Sequence, residues 1–213
     1  ITDVSATGND VATITSSHGA LTFDTTGLAS FTNNGSHTVT LTGTVAQINT
    51  ALATLTYNSD DGYTGSDTVS LNVADNNGSA GPLSSGPQSF HVGVVPQVFY
   101  IDNSATGSAN LGTQHDPFTS IAAFNAANPA GSGDYVVLEH GTGTYSEANG
   151  INLANGVNLI GGSHTLQFTN PVTSAVVTAN TGSGTDPVIK VTGADNGIDL
   201  LGTTGHSITG VSI

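Results

Sequence analysis

The chain has 213 residues, with 15 acidic side chains against a single basic one, Lys190, and a formal charge of −14. Such a surface repels a phosphate backbone and an anionic membrane leaflet, which excludes nucleic acid as a partner. Cysteine, methionine and tryptophan are absent, so disulfides and thiolate metal ligands are excluded too.

Hydrophobic residues make up 36% of the chain and charged ones only 8%. Short Val, Ile and Leu runs recur throughout, which marks a folded chain whose surface is solvated by Thr, Ser, Asn and Gly. No apolar run reaches 18 residues, so no membrane insertion is predicted. Ile1 does not open a signal peptide, and the strand-like end "SITGVSI" reads as the middle of a pattern. The expectation is one segment of a longer protein.

Residues 1–95 alternate with period two. "ALTF" places Leu21 and Phe23 on one face, "HTVTLTG" places Val39 and Leu41, and "DTVSLNVAD" places Val69, Leu71 and Val73. "QSFHVGVV" assigns Phe90, Val92 and Val94 to the same dry side. About seven strands with one apolar face and polar turns predict an all-β, antiparallel β-sandwich. One segment departs from this. In "GTVAQINTALATL" Val45, Ile48, Leu52 and Leu55 recur at helical spacing, and Thr44 and Gln47 form a capping box at its start.

The order "LTGTVAQINTALATLTYNSDDGYTGSDTVSLNVAD" resembles the cadherin-like, immunoglobulin-like repeats of very large bacterial surface proteins. The resemblance covers residues 11 to about 95. It implies that "DDGYTG" is the turn launching the next strand, with Gly62 and Gly65 supplying permissive backbone angles. The stretch is not an EF-hand loop, because no register offers oxygen ligands at positions 1, 3 and 5, Gly at 6 and Glu at 12. The candidate metal site is a looser Ca2+ site drawn from Asp60, Asp61, Asp67 and Asp75, ranked second to the turn.

A new pattern opens at Pro96, and residues 96–213 form the second expected domain. "QVFYIDNSATG" predicts a strand and a polar loop. "HDPFTSIAAFNAANP" predicts a helix over 117–127, with Asp116 as N-cap, Pro117 at the first helical position and Phe118, Ile121 and Phe124 inward. From residue 151 onward apolar–polar–apolar triplets recur: "INL", "VNL", "LQF", "IKV", "IDL" and "VSI". Leu166, Ile189 and Val211 align with a period near 22 residues, as do Val176 and Ile198. That period, with very short strands and Gly/Asn corners, predicts the first coils of a right-handed parallel β-helix. Asn152, Asn158, Gln167, Lys190 and Asp199 are expected outside it. The segment from Val98 to about residue 170 resembles the N-terminal cap and first coils of pectate-lyase-like β-helix proteins.

That second resemblance raises catalysis. Polysaccharide lyases typically use Arg or Lys to acidify the proton beside a uronate, and this chain has no Arg. Asp186, Asp195 and Asp199 are the nearest candidates for a carboxylate cluster, and they read first as turn and solvent-facing residues. Seven histidines are dispersed without a His-x-His or His-x-x-x-His pair, and Glu139–His140 are neighbours expected on opposite faces of a strand. Asn34-Gly-Ser and Asn77-Gly-Ser match the glycosylation sequon, yet Asn-Gly is first a turn.

The resemblances together imply a non-catalytic structural or adhesive segment of a large bacterial extracellular protein, on the cell surface, secreted or in a biofilm matrix. Its expected partners are glycans or a host or neighbouring cell surface, adjoining repeats of the same protein, and another chain through the β-helix end. The alternative is an accessory domain joined to the start of a β-helix polysaccharide lyase.

Overall fold

The computed structural model describes Ile1 and residues 8–75, 83–84, 86–202 and 204–213. The chain is mostly β and divides into two compact units, Ile1–Val94 and Val95–Ile213.

In the first unit, strands β1 (Asp10–Thr15), β2 (Gly19–Thr22), β3 (Ser30–Thr32) and β4 (Thr38–Gly43) precede helix α1 (Val45–Leu52). Strands β5 (Thr56–Ser59), β6 (Gly65–Asp75), β7 (Leu83–Ser84) and β8 (Gln88–Val94) follow. Every ladder is antiparallel. The large sheet runs β3-β4-β1-β6-β7 with β8 also on β6, and β2 pairs with β5 separately. Alternation decides which side chains go in. Ala12 and Ile14 of β1, Val39 and Leu41 of β4 and Val69 of β6 are buried with Leu21 of β2 and Ile48 of α1.

Helix α1 starts where the sequence places it. The Thr44 side chain accepts from the Gln47 N–H, and the Gln47 side-chain Oε1 accepts from the Thr44 N–H at 2.8 Å. Phe90 departs from expectation, being 51% exposed. The β2–β5 layer offers two four-residue strands, too small to cover the edge strand β8.

The second unit comprises β9 (Val98–Ile101), helix α2 (Ile121–Ala127), β10 (Tyr135–Leu138), β11 (Thr144–Glu147), β12 (Ile151–Leu153) and β13 (Asn158–Gly161). It continues with β14 (Thr165–Thr169), β15 (Val176–Thr181), β16 (Val188–Val191), β17 (Ile198–Leu200) and β18 (Ile208–Thr209). Strands β9, β10, β13 and β18 pair in parallel, as do β11 with β16 and β12 with β17. Ile101, Val136, Leu138, Tyr145, Ile151, Leu153, Leu159 and Ile189 point inward and form one core. Ile121 and Phe124 of α2 close over it, Phe124 meeting Phe118 edge-on at 5.7 Å.

Two expectations are corrected here. The helix begins four residues later than predicted, with Ser120 as N-cap. Asp116 instead accepts from the Ala109 N–H and the Ser108 hydroxyl, while Phe118 is drawn into a parallel bridge with Ile101. The tertiary pull on Phe118 outweighs a favourable local cap. The 22-residue alignment is also wrong for Leu166 and Val176. Both belong to β14 and β15, which leave the parallel stack as an antiparallel hairpin, with Gln167 opposite Thr178. Lys190 therefore pairs with Ser146, Asp199 with Asn152, and Ser212 with Val188 rather than Lys190.

Candidate functional site

In the first unit the acidic stretch at 60–67 folds as a turn. Gly62 has φ 71° and Gly65 φ 140°, and Tyr63 N–H donates to the Asp60 carbonyl. Asp67 faces inward and is 1% exposed. Its carboxylate accepts from the N–H groups of Ser17, His18 and Thr68 and from the Tyr57 hydroxyl at 2.9 Å. Burial alone raises the affinity of Asp67 for a proton, but these donors outweigh it and hold the group below the usual carboxylate range. Burial, reinforced by Asp67, pushes the Tyr57 phenol well above its ordinary value. Asp60 contacts His37 Nε2 at 2.8 Å, Asp61 is exposed, and Asp75 ends β6 opposite Leu83. The four aspartates are thus spread over different tasks. Among the described residues no three His, Asp or Glu side chains are grouped to hold a metal ion.

The Asn34 sequon is likewise committed to a turn. Its amide oxygen accepts from the Phe23 N–H and its amide nitrogen donates to the Phe23 carbonyl, both at 2.9 Å. Asn77-Gly-Ser lies outside the described residues.

In the second unit the polar groups collect where the stacked strands end. Ile101, Leu138 and Gly161 are in register on β9, β10 and β13. The residues that follow, Asp102, Glu139 and Gly162, therefore occupy successive levels about 4.8 Å apart. Asp102 accepts from the Ser104 N–H at 2.8 Å and from its hydroxyl at 2.7 Å. Glu139 is half-buried over Gly162, where a Cβ would collide with its carboxylate. Burial first, then the Asp102 charge, raises the proton affinity of Glu139 above the usual range.

Histidines flank this column. His140 Nδ1 lies 3.0 Å from the Thr185 carbonyl, and His164 Nε2 lies 3.3 Å from Asp186, which also accepts from the Ser163 hydroxyl. Beneath them the Tyr145 hydroxyl sits within hydrogen-bond reach of the Ile101 and Glu139 carbonyls, at 3.0 and 2.8 Å. The arrangement offers carboxylates, imidazoles and hydroxyls on one outer edge of a filled core, groups suited to hydrogen-bonding a neutral polyol.

Of the candidate catalytic aspartates, only Asp186 joins this column. Asp195 accepts from the Asn196 N–H, and Asp199 accepts from the Asn196 amide at 3.1 Å. Glu139 and His140 follow the end of β10, so strand alternation does not separate them as expected. The Asp102–Glu139 pair was missed, although an acidic residue follows the last apolar residue of both "VFYI" and "YVVL". Aligning those two strand ends would have found it.

Residues 12–81 match the family profile described as the Protein GAMETE EXPRESSED 2 domain. The match lies in the first unit and spans less than half of the chain. No curated protein and no solved structure matches the chain. The profile overturns the assignment of this region to cadherin-like repeats of bacterial surface proteins, and with it the bacterial adhesin and biofilm setting, since gametes are not bacterial cells. The misassignment has a physical source. Alternating strands, a capped helix and Gly-rich turns follow from burial and backbone geometry, so they point to a kind of fold and not to a lineage. Among the described residues no helix is long and apolar enough to cross a membrane.

Proposed function

We propose that the chain is a non-catalytic structural or adhesive part of an extracellular protein. In this reading the first unit is a two-layer sandwich, and the second is the beginning of a right-handed parallel β-helix capped by α2. The parallel registers linking β9, β10, β13 and β18, β11 with β16, and β12 with β17 support the β-helix. The observation that carries the function is the division between a stack filled with apolar side chains and an outer edge lined by Asp102, Glu139, His140, His164 and Asp186. A filled interior leaves the surface to do the binding, and a chain with one cation suits neutral, hydroxyl-rich glycans better than anionic ones.

A second reading, a carbohydrate-active enzyme, is favoured by one feature. Asp102 and Glu139 are carboxylates at adjacent levels, and the raised proton affinity of Glu139 suits a proton donor. One experiment separates the readings. The purified chain is incubated with a panel of neutral polysaccharides, with retention and product release both measured. Retention without product is expected, weakened in Asp102→Ala. Product formation abolished by Glu139→Gln would overturn the non-catalytic reading, and absence of retention on every polymer would overturn the glycan ligand.

A further inference from the structure

The hairpin β14–β15 is the one element of the second unit, among the described residues, that leaves the parallel stack and pairs only with itself. Its base is anchored. Leu166, Phe168 and Ala179 pack on Tyr100, Val137 and Tyr135, and the Tyr100 hydroxyl donates to the Ala179 carbonyl. Its distal half is bare, with residues 171–178 all exposed. Val172, Val176 and Val177 are 40%, 61% and 43% exposed.

Its tip is closed by internal hydrogen bonds. Asn170 accepts from the Val172 and Thr173 N–H groups at 2.9 Å, and its own N–H donates to the Ala175 carbonyl.

Charge identifies the partner. Between Glu147 and Asp186 there is no acidic or basic side chain other than His164, in a chain of charge −14. A cationic partner would settle on the acidic surface elsewhere, where Coulomb attraction draws it. A second copy of this chain is repelled by most of the surface and least by the hairpin. Edge strands that avoid pairing carry Lys, Pro or inward charge. Strand β15, "VVTANT", carries none.

We propose that the chain self-associates through this hairpin, the β15 strands of two copies pairing antiparallel across a two-fold axis into a four-stranded sheet. The proposal goes beyond the function above and does not depend on glycan binding. It predicts association that strengthens with salt, because screening reduces repulsion between the acidic bodies while leaving the neutral contact intact.

Sedimentation equilibrium of the intact chain tests it, at low and high ionic strength, with two variants. Val176→Lys/Val177→Lys changes only exposed side chains and is expected to weaken the dimer roughly tenfold or more. Phe31→Lys, an equally exposed apolar site in the first unit, is expected to leave the dimer unchanged. Circular dichroism confirms that both variants are folded. In the cysteine-free chain, Val176→Cys or Val177→Cys is expected to cross-link two copies under mild oxidation, whereas Thr50→Cys on α1 is not. Monomer mass at all concentrations, or a dimer indifferent to Val176→Lys/Val177→Lys, would overturn the proposal.

Discussion

Two carboxylates respond to burial in opposite ways, and the difference lies in their donors. Asp67 collects three backbone N–H groups and a phenol, whereas Glu139 is buried over Gly162 beside a second carboxylate. A lowered folded-state value means that Asp67 contributes stability above its unfolded value and loses it as pH falls through the folded one. A raised value means the reverse for Glu139. No penalty exists below its unfolded value, and stability is lost as pH rises through the folded value. Glu139→Gln should therefore stabilise the chain near neutral pH, with the gain vanishing in acid. Asp67→Asn should destabilise it near neutral pH by about 1–3 kcal/mol, through weakened or unmade bonds to buried donors, and should flatten the acid limb. Urea titrations at several pH values would check both, and parallel pH profiles for wild type and Glu139→Gln would contradict the placement of that carboxylate.

At the scale of elements, local signals act most clearly where tertiary structure does not compete. Helix α1 has a reciprocal cap, and removing it in Thr44→Ala should lower stability by about 1 kcal/mol, read as a shifted denaturation midpoint with unchanged slope. An unshifted midpoint would mean that packing of Ile48 and Ala51 alone sets the helix. The same capping chemistry was legible in the sequence at Thr44 and misleading at Asp116, because Phe118 gains more by entering the core than a cap at Asp116 offers. Alternation was legible for β2, β4 and β6, which have a buried face, and it failed for Phe90 on an uncovered edge. The stacked strands were legible as short triplets, but their partners were not. A triplet such as "LQF" has the same composition in a hairpin as in a parallel stack, so period alone could not place Leu166. Asp102 and Glu139 come together through the β9–β10 register, which the triplets do not include and which the aligned ends of "VFYI" and "YVVL" carry.

For the whole molecule, each unit owns a separate apolar core, one centred on Ile14, Leu21 and Leu41, the other on Leu138, Leu153 and Leu159. Calorimetry should therefore resolve two transitions. Leu159→Ala, which removes about 2–5 kcal/mol of core packing, should move only one of them. Co-migration of both would show that the units unfold as one. A further consequence lies in how the β14–β15 hairpin is tied at its neck. The Ser183 N–H donates to the Gly162 carbonyl, and the Asn180 amide donates to the Gly162 and His164 carbonyls. The excursion thus begins and ends at one place, closed by its own bonds. Such a neck, with the anchored base above it, leaves the exposed stretch 171–178 as an interchangeable cassette. Its length and outer residues can drift, or be replaced by a grafted sequence, while the strands beneath keep their neighbours. Variation gathered there would retune what the protein meets without rewriting what it is built on.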